Sequence, residues 1–224
     1  MKRIRFTLIV FGFVAGYLLL LRPRLLRWGA TDEEVAREFP GRELIPNGSR
    51  SATMSVTLDA PPAEVWRWLA QMGTNRGGWY SWDRLDNWGS QSSERIHAEW
   101  QAIALGDRFY GTKDGSQSWV VVGLEPERLL ILRISLDLNG RQYEPESQPR
   151  PKYFTDSTWG FQLTELPDGQ TRLVVSGYWA FGPDWLRPIL SVIALEPSHW
   201  VMQKRQFDNL ARRVSAGPTP RPPG

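Results

Sequence analysis

The sequence predicts an α+β domain in which an antiparallel sheet packs against a long C-terminal helix. Short segments that alternate apolar and polar residues predict strands, and Asp114-Gly115 and Asp168-Gly169 are typical of hairpin turns. The last stretch has helical periodicity, with Pro197 where a helix can begin. One face of such a sheet is free to curl, and a helix lying across that face can leave a cavity between them.

The folded body opens with a strand and then a helix. In "ATMSVTLDA", Met54, Val56 and Leu58 share one face, which predicts a half-buried strand. In the next stretch, "APPAEVWRWLAQMG", two prolines suit the start of a helix and a glycine suits its end. The apolar residues of this helix fall at helical spacing and form one stripe, which consists of Val65, Trp66, Leu69 and Met72.

The second half of the chain predicts further strands and the closing helix. The run "RLLILRISLDL" has one apolar face, formed by Leu130, Leu132, Ile134 and Leu136. The run "DSTWGFQLTEL" also has one, formed by Trp159, Phe161 and Leu163, and it leads through a hairpin into the strand "TRLVVSGYWAF". The final helix carries an apolar seam of Trp200, Phe207, Leu210, Ala211 and Val214.

The composition excludes several classes of protein. The 224 residues include no cysteine, so structural disulfides, a thiolate nucleophile and cysteine-ligated zinc are ruled out. The net charge is only +3 and no block of lysine and arginine stands out, so we expect no nucleic-acid partner. Twelve tryptophans is a large number, and this amphipathic side chain suits pockets, interfaces and membrane boundaries.

Residues 1–28 predict a membrane anchor. Basic residues flank an uncharged, mostly apolar run from Phe6 to Leu21. We expect residues 4–21 to cross the cell membrane once, with the N-terminus in the cytoplasm and the domain outside. A cleaved signal peptide is the rival interpretation, and the arginines that directly follow the run argue against it. A helix buried in the domain is disfavoured because the run is apolar all round.

The remaining chain divides into three predicted parts. Residues 29–50 form a polar connector with a short helix, which Thr31 or Asp32 can cap. Residues 51–215 form the folded domain. Residues 216–224 are rich in proline and predict a disordered tail.

Four aromatic rings crowd the stretch "RGGWYSWDRLDNW" of residues 76–88. Core packing is the ordinary explanation for any one buried ring. Four rings in an irregular segment, after two glycines that allow a sharp bend, favour a loop that covers one end of a cavity. The charged residues Asp83, Arg84 and Asp86 would then surround its mouth or pair with one another.

The chain resembles the bacterial SRPBCC proteins of the START-like, or polyketide cyclase/dehydrase-like, superfamily. The residues that carry the resemblance run from about 31 to 215 and include "VTLDAPPAEVWRWLAQMG", "RGGWYSWDRLDNW", "LGDRF", "LEPERLLIL", "WGFQLTELPDGQTRLVVS" and "LEPSHWVMQKRQFDNL". Taken together, these stretches point to a membrane-anchored subgroup. The resemblance implies a helix-grip (START/Bet v 1-like) fold, in which a curved antiparallel sheet grips the C-terminal helix around a hydrophobic cavity.

Members of this superfamily bind lipids, sterols, quinones, polyketides or other apolar molecules, and a few catalyse reactions. The resemblance therefore implies a hydrophobic small-molecule or lipid partner, and it supplies no catalytic set to carry over. The aromatic loop and the inward rings of the sheet and final helix are the predicted ligand-binding residues: Trp79, Tyr80, Trp82, Trp88, Phe109, Trp119, Trp159, Phe161, Trp179, Trp200 and Phe207.

Our leading hypothesis is a membrane-tethered protein that binds, and can transport, a lipid or quinone. It needs no cofactor and no metal. The two histidines, His97 and His199, each have a glutamate nearby but lack metal-binding spacing, and no GxSxG motif marks a nucleophile. An enzyme of cyclase or hydrolase type, using Glu99, Asp83 or His97 as acid or base, is one alternative. A protein-interaction module with an unknown protein partner is another.

Overall fold

The computed structural model of the chain describes residues 12, 14–146, 149–186 and 191–216. Its strands, in chain order, are β1 (Ser49–Arg50), β2 (Met54–Leu58), β3 (Arg108–Tyr110), β4 (Ser118–Glu125), β5 (Leu129–Asp137), β6 (Phe154–Glu165), β7 (Thr171–Ser176) and β8 (Tyr178–Gly182). Its α-helices are α1 (Arg22–Leu26), α2 (Asp32–Ala36), α3 (Pro62–Ala70), α4 (Asp83–Asp86) and α5 (Glu196–Ser215). Shorter 3-10 and π turns are Tyr17–Leu21, Arg42–Leu44, Ala98–Trp100, Asp184–Leu186 and Ser191–Leu195.

The strands form one eight-stranded antiparallel sheet with β6 at its centre. Along one path the order is β1-β8-β6-β5-β4-β3, and β2 joins the sheet through β7, which also pairs with β6. Together with the long helix α5, this arrangement fits the helix-grip fold and confirms the predicted α+β class. The closing helix begins at Glu196 with Pro197 in its first turn, as the sequence predicts.

The predicted strand "TRLVVSGYWAF" is split in two at Gly177. β8 pairs with the first part of β6, from Phe154 to Ser157, and β7 pairs with the second part, from Gly160 onwards. A Cβ atom on residue 177 would lie 2.1 Å from the carbonyl oxygen of Thr158. Glycine is therefore required where the two strands diverge, and the divergence bends the sheet.

The inner face of the sheet is solidly packed under the second half of α5. Phe207 and Leu210 of this helix are fully buried in one cluster with Leu69 of α3 and with Leu130 and Phe161 of the sheet. Complete burial of such side chains contributes about 1.5–3 kcal/mol each. This half of the space between sheet and helix is an ordinary hydrophobic core.

The predicted connector packs on the outer face of the sheet. Phe39 and Ile45 form a small buried cluster with Val174 and Tyr178, whose hydroxyl donates to the carbonyl of Phe39 over 2.8 Å. At the other end of the connector, Glu34 closes a capping box and binds Arg172 of β7 over 2.8 Å. The hydrogen bond from Arg172 lowers the pKa of Glu34 to about 2.

Most of the predicted anchor lies outside the described residues, which omit 1–11 and 13. Within the described ranges, no helix has both the length and the apolar character that crossing a bilayer requires. The described end of this segment contacts the body: Arg22 binds Glu196 through two hydrogen bonds, of 2.6 and 2.8 Å, and Trp28 stacks on Phe207 at 6.1 Å. The predicted tail lies outside the described residues from 217 onwards.

Candidate ligand-binding cavity

A cavity of about 450 Å³ lies between the sheet and the first half of α5. The helix presents one face to it, since the lining residues recur at intervals of three and four. The helix residues on the wall are Ser198, His199, Met202, Gln203 and Gln206. Leu195, the last residue of the turn before the helix, also lines the cavity. The same helix therefore covers a hollow with its first half and a packed core with its second.

The floor of the cavity consists of alternate residues on neighbouring strands. Strand pairing places Trp179, Ser157 and Ile134 in one row across the sheet, and Phe181, Thr155 and Leu136 in the next row. All six line the cavity, with Gln117 and Trp119 completing the side towards β4. Side chains on alternate residues point to one face of a sheet, so the rows follow from the register.

Trp159 divides the cavity from the core. Its ring packs 5.5 Å from the rings of Trp79 and Trp119 and 4.8 Å from the ring of Phe161. Its indole N–H donates to the side-chain oxygen of Gln203 on α5 over 3.1 Å. The partly buried indole thus has its polar group satisfied, and it bridges the helix and the sheet.

The aromatic loop closes one end of the cavity, and its two glycines make this possible. A Cβ on residue 78 would lie 2.5 Å from the hydroxyl oxygen of Ser92, and one on residue 77 would lie 2.6 Å from that of Tyr80. Gly78 also has a φ of +83°, which favours glycine. Tight folding of residues 73–78 turns Trp79 into the cavity wall.

Several hydrogen bonds hold this loop in place. The side-chain amide of Asn209 on α5 donates to the carbonyl of Tyr80 over 2.9 Å. The Asp83 carboxylate accepts from the hydroxyl of Ser92 over 2.6 Å. The indole N–H of Trp88 donates to the carbonyl of Gly111 over 3.1 Å. Residues 81 and 86, which lie between these contacts, are therefore held in defined positions.

Three polar side chains of the cavity wall have buried atoms that lack a hydrogen-bond partner among the described residues. Within the described part of the chain, the Ser81 hydroxyl, both Asp86 carboxylate oxygens and the Nε2 atom of His199 have no hydrogen-bond partner. An unpartnered buried polar group costs about 1–3 kcal/mol. Such groups at a cavity wall are suited to bind the polar part of a ligand.

Burial shifts the pKa values of the two titratable members of this set. It raises the pKa of Asp86 to about 6, with a further contribution from the neighbouring Asp83 carboxylate. Ser81 lies close enough to oppose this shift, although its hydroxyl does not reach hydrogen-bond geometry. Burial lowers the pKa of His199 to about 4. At neutral pH, Asp86 is therefore mostly ionised and His199 is uncharged.

Four of the predicted ligand-binding residues lie on the cavity wall, and these are Trp79, Trp119, Trp159 and Trp179. Four others lie in the packed core and not on the wall, and these are Tyr80, Phe109, Phe161 and Phe207. The difference has a geometric reason. Phe161 shares a sheet face with Trp159 but lies two residues further along β6, beyond the point where α5 meets the sheet.

The other three predicted residues also lie off the wall. Trp82 and Trp88 are 45% and 55% exposed, because the turn around α4 points them outward. The guanidinium of Arg205 lies 5.0 Å from the ring of Trp82. Trp200 is half-buried against the core, on a different side of α5 from His199.

Asp86, Ser81 and His199 are polar wall residues that were not among the predicted ligand-binding residues. Asp86 was expected to surround the mouth of the cavity or to pair with a neighbouring charge, and His199 was considered as a metal ligand without supporting spacing. The candidate acids and bases lie elsewhere: His97 contacts Ser93 and Glu99, and Asp83 binds Ser92. The sequence did hold one indication that His199 lies on the wall. It falls four residues before Gln203, and residues at this spacing share one face of a helix.

No protein-family profile matches the chain, and no curated protein matches it. Solved structures of bacterial proteins do match. Protein MLL2253 of Mesorhizobium loti is 19% identical, covering 75% of this chain and 99% of that one, with a TM-score of 0.42. CalU16 of Micromonospora echinospora is 15% identical, covering 76% and 91%, with a TM-score of 0.34. SA2116 of Staphylococcus aureus, a protein of unknown function, is 11% identical, covering 76% and 96%, with a TM-score of 0.43. At these values the fold assignment rests on the topology above.

Replacement of Asp86 by asparagine is expected to stabilise the protein at high pH. The pKa is raised from 3.8 to about 6 on folding, so the stability that protonated Asp86 contributes is present below pH 4 and is lost as pH rises through 6. Asparagine stays neutral throughout. Since Asp86 is partly exposed, the expected gain in unfolding free energy at pH 8 is about 1 kcal/mol.

Urea denaturation at pH 8 and pH 4 measures this gain, which should disappear at the lower pH. Glu165→Gln is the matched control, because Glu165 is exposed at the end of β6 and the same loss of charge there should leave stability unchanged. An Asp86→Asn variant less stable than wild type at pH 8 would contradict this account of the site.

Proposed function

We propose that the protein binds an amphipathic small molecule, such as a lipid or quinone, in the cavity between the sheet and α5. The observation that carries this proposal is a cavity with four indoles in its wall, where polar atoms of Ser81, Asp86 and His199 have no partner among the described residues. The indoles suit a flat or chain-like apolar body. The polar atoms suit one or two hydrogen-bonding groups on the same ligand.

The size and the lining of the cavity support this function. Cavities that bind small molecules have volumes of roughly 300–1,000 Å³ and combine apolar walls with a few convergent polar groups. The observed volume of about 450 Å³ falls in this range. The floor also includes the small side chains of Ser157 and Thr155 between larger neighbours, which leaves room for a ring or an acyl chain.

We also propose that residues 4–21 form a membrane tether, with the N-terminus in the cytoplasm and the domain outside. Its support is the apolar run itself and the ion pair between Arg22, directly after that run, and Glu196 at the start of α5. The next residues of the helix line the cavity. A tether attached at this point would hold the cavity beside the bilayer, where lipids and quinones reside.

An enzyme acting on a similar molecule is the second candidate. The observation that favours it is the presence of two titratable side chains, Asp86 and His199, on the wall of one cavity. Burial perturbs the pKa values of both side chains, and strongly perturbed pKa values cluster at functional sites. Turnover of a bound molecule would distinguish this function from binding alone.

A Ser157→Phe variant tests the binding function. Ser157 is at the centre of the cavity floor, between Trp179 and Ile134, so a phenyl ring at this position should occupy the space of a ligand. We expect the variant to bind 2-naphthalenemethanol at least about tenfold more weakly than wild type, a loss of about 1.4 kcal/mol. Isothermal titration calorimetry measures this affinity.

Thr164→Phe is the control, because it adds the same ring to the same strand at an exposed position. It should bind the naphthalene as wild type does. Equal binding by Ser157→Phe and wild type would place the ligand outside the cavity and refute the proposed function.

The membrane tether predicts that the N-terminal segment is retained in the mature protein. The backbone N–H groups of Thr53 and Ser55 donate to the carbonyls of Leu26 and Trp28 over 2.8 and 3.0 Å. Cleavage near residue 30 would remove these acceptors from the edge of the sheet. Intact-mass spectrometry of protein extracted from membranes should give an N-terminus at residue 1 or 2. A mature N-terminus at or after Gly29 would contradict the tether.

A further inference from the structure

The charge of the cavity wall restricts the ligand more narrowly than its apolar character does. Asp86 is the one carboxylate among the described residues that line the cavity, and none of those residues is a lysine or an arginine. His199 is uncharged at neutral pH because burial lowers its pKa. The described part of the cavity wall therefore carries one negative charge and no cation.

No cation among the described residues binds the Asp86 carboxylate directly. Asp83, on the same short helix, is a second carboxylate close enough to raise the pKa of Asp86. Asp83 is occupied by the hydroxyl and the backbone N–H of Ser92, whereas both oxygens of Asp86 lack a partner within the described ranges. The guanidinium of Arg205 lies over the ring of Trp82, and neither Arg205 nor Arg84 lines the cavity.

Hydrogen bonds fix the backbone of the loop that carries Asp86. The backbone N–H groups of residues 85 and 86 both donate to the carbonyl of Trp82, over 2.7 and 3.1 Å. The following residue, Asn87, is buried and donates from its side chain to the carbonyl of Ser90 over 2.7 Å. This turn therefore fixes the backbone of Asp86 at the cavity wall, with the Ser81 side chain close to the carboxylate.

We propose that the ligand is a cationic amphiphile, a primary or secondary amine on an apolar body, with its ammonium group bound by Asp86 and Ser81. This inference rests on the proposed function and names the chemical class of its ligand. An ammonium group donates hydrogen bonds to carboxylate and hydroxyl oxygens, and the faces of indole rings attract cations. An anionic amphiphile such as a fatty acid would meet only repulsion at this end of the cavity.

Three naphthalenes that differ only in the polar group test this inference. They are 2-naphthylmethylamine, 2-naphthalenemethanol and 2-naphthoate, which at pH 8 are cationic, neutral and anionic. For the wild-type protein we expect the amine to bind about tenfold more tightly than the alcohol, as a charge-assisted hydrogen bond implies. We expect the carboxylate to bind most weakly. Calorimetric titration gives all three affinities.

The Asp86→Asn variant should lose the preference for the amine and keep its affinity for the alcohol. The Ser81→Ala variant should reduce the preference in part. The Glu165→Gln variant, which removes an exposed negative charge from β6, should keep the wild-type order.

The outcomes separate this inference from the function on which it rests. If none of the naphthalenes binds to the wild-type protein, the proposed function itself fails. If the alcohol binds but the amine binds no more tightly, or if the carboxylate binds best, the cavity remains a binding site and the cationic ligand is refuted. Retention of the amine preference by Asp86→Asn would likewise refute the role of this carboxylate.

Discussion

The packing of Trp159 between the sheet and α5 is the constraint on which the cavity depends. This indole touches Trp79, Trp119 and Phe161 and donates its N–H to Gln203. On one side of it, Phe207 and Leu210 close the space with complete burial. On the other side, Ser157 and Thr155 leave a floor of small side chains, and the helix spans a hollow. One sheet face thus supplies both the stability of the fold and the volume of the site.

The unpartnered polar groups of the site lower the stability of the protein, and packing in the rest of the fold offsets this loss. Side-chain atoms of Asp86, Ser81 and His199 are buried without a partner in the described part of the chain, so they lose hydration and gain no hydrogen bond. Protein sites that bind polar groups commonly hold such unfavourable arrangements, which a ligand relieves. The packed half of the core and the outer cluster around Phe39 and Tyr178 keep the loop and the helix in place despite this cost.

Much of the fold was predictable because alternation and helical spacing report directly on buried faces. The apolar faces of β5 and β6 and the start of α5 at Pro197 followed from such patterns. An alternating pattern shows which face of a strand is buried but not where along the strand a helix packs. Phe161 was therefore expected on the cavity wall, whereas it lies in the packed core. The split at Gly177 depends on a close approach to Thr158, which local sequence does not reveal. The sequence predicts a surface position for Asp86, because its partial burial depends on how the loop folds.

A crystal structure of the protein as purified tests the central claim most directly, because it would display the space between the sheet and the first half of α5. We predict that Trp119, Trp179 and Phe181 surround a volume that holds ordered solvent or a bound small molecule, with Trp159 packed against Trp79. Electron density in which these rings fill that space themselves, in contact with Met202 and with no volume left for a ligand, would contradict the account.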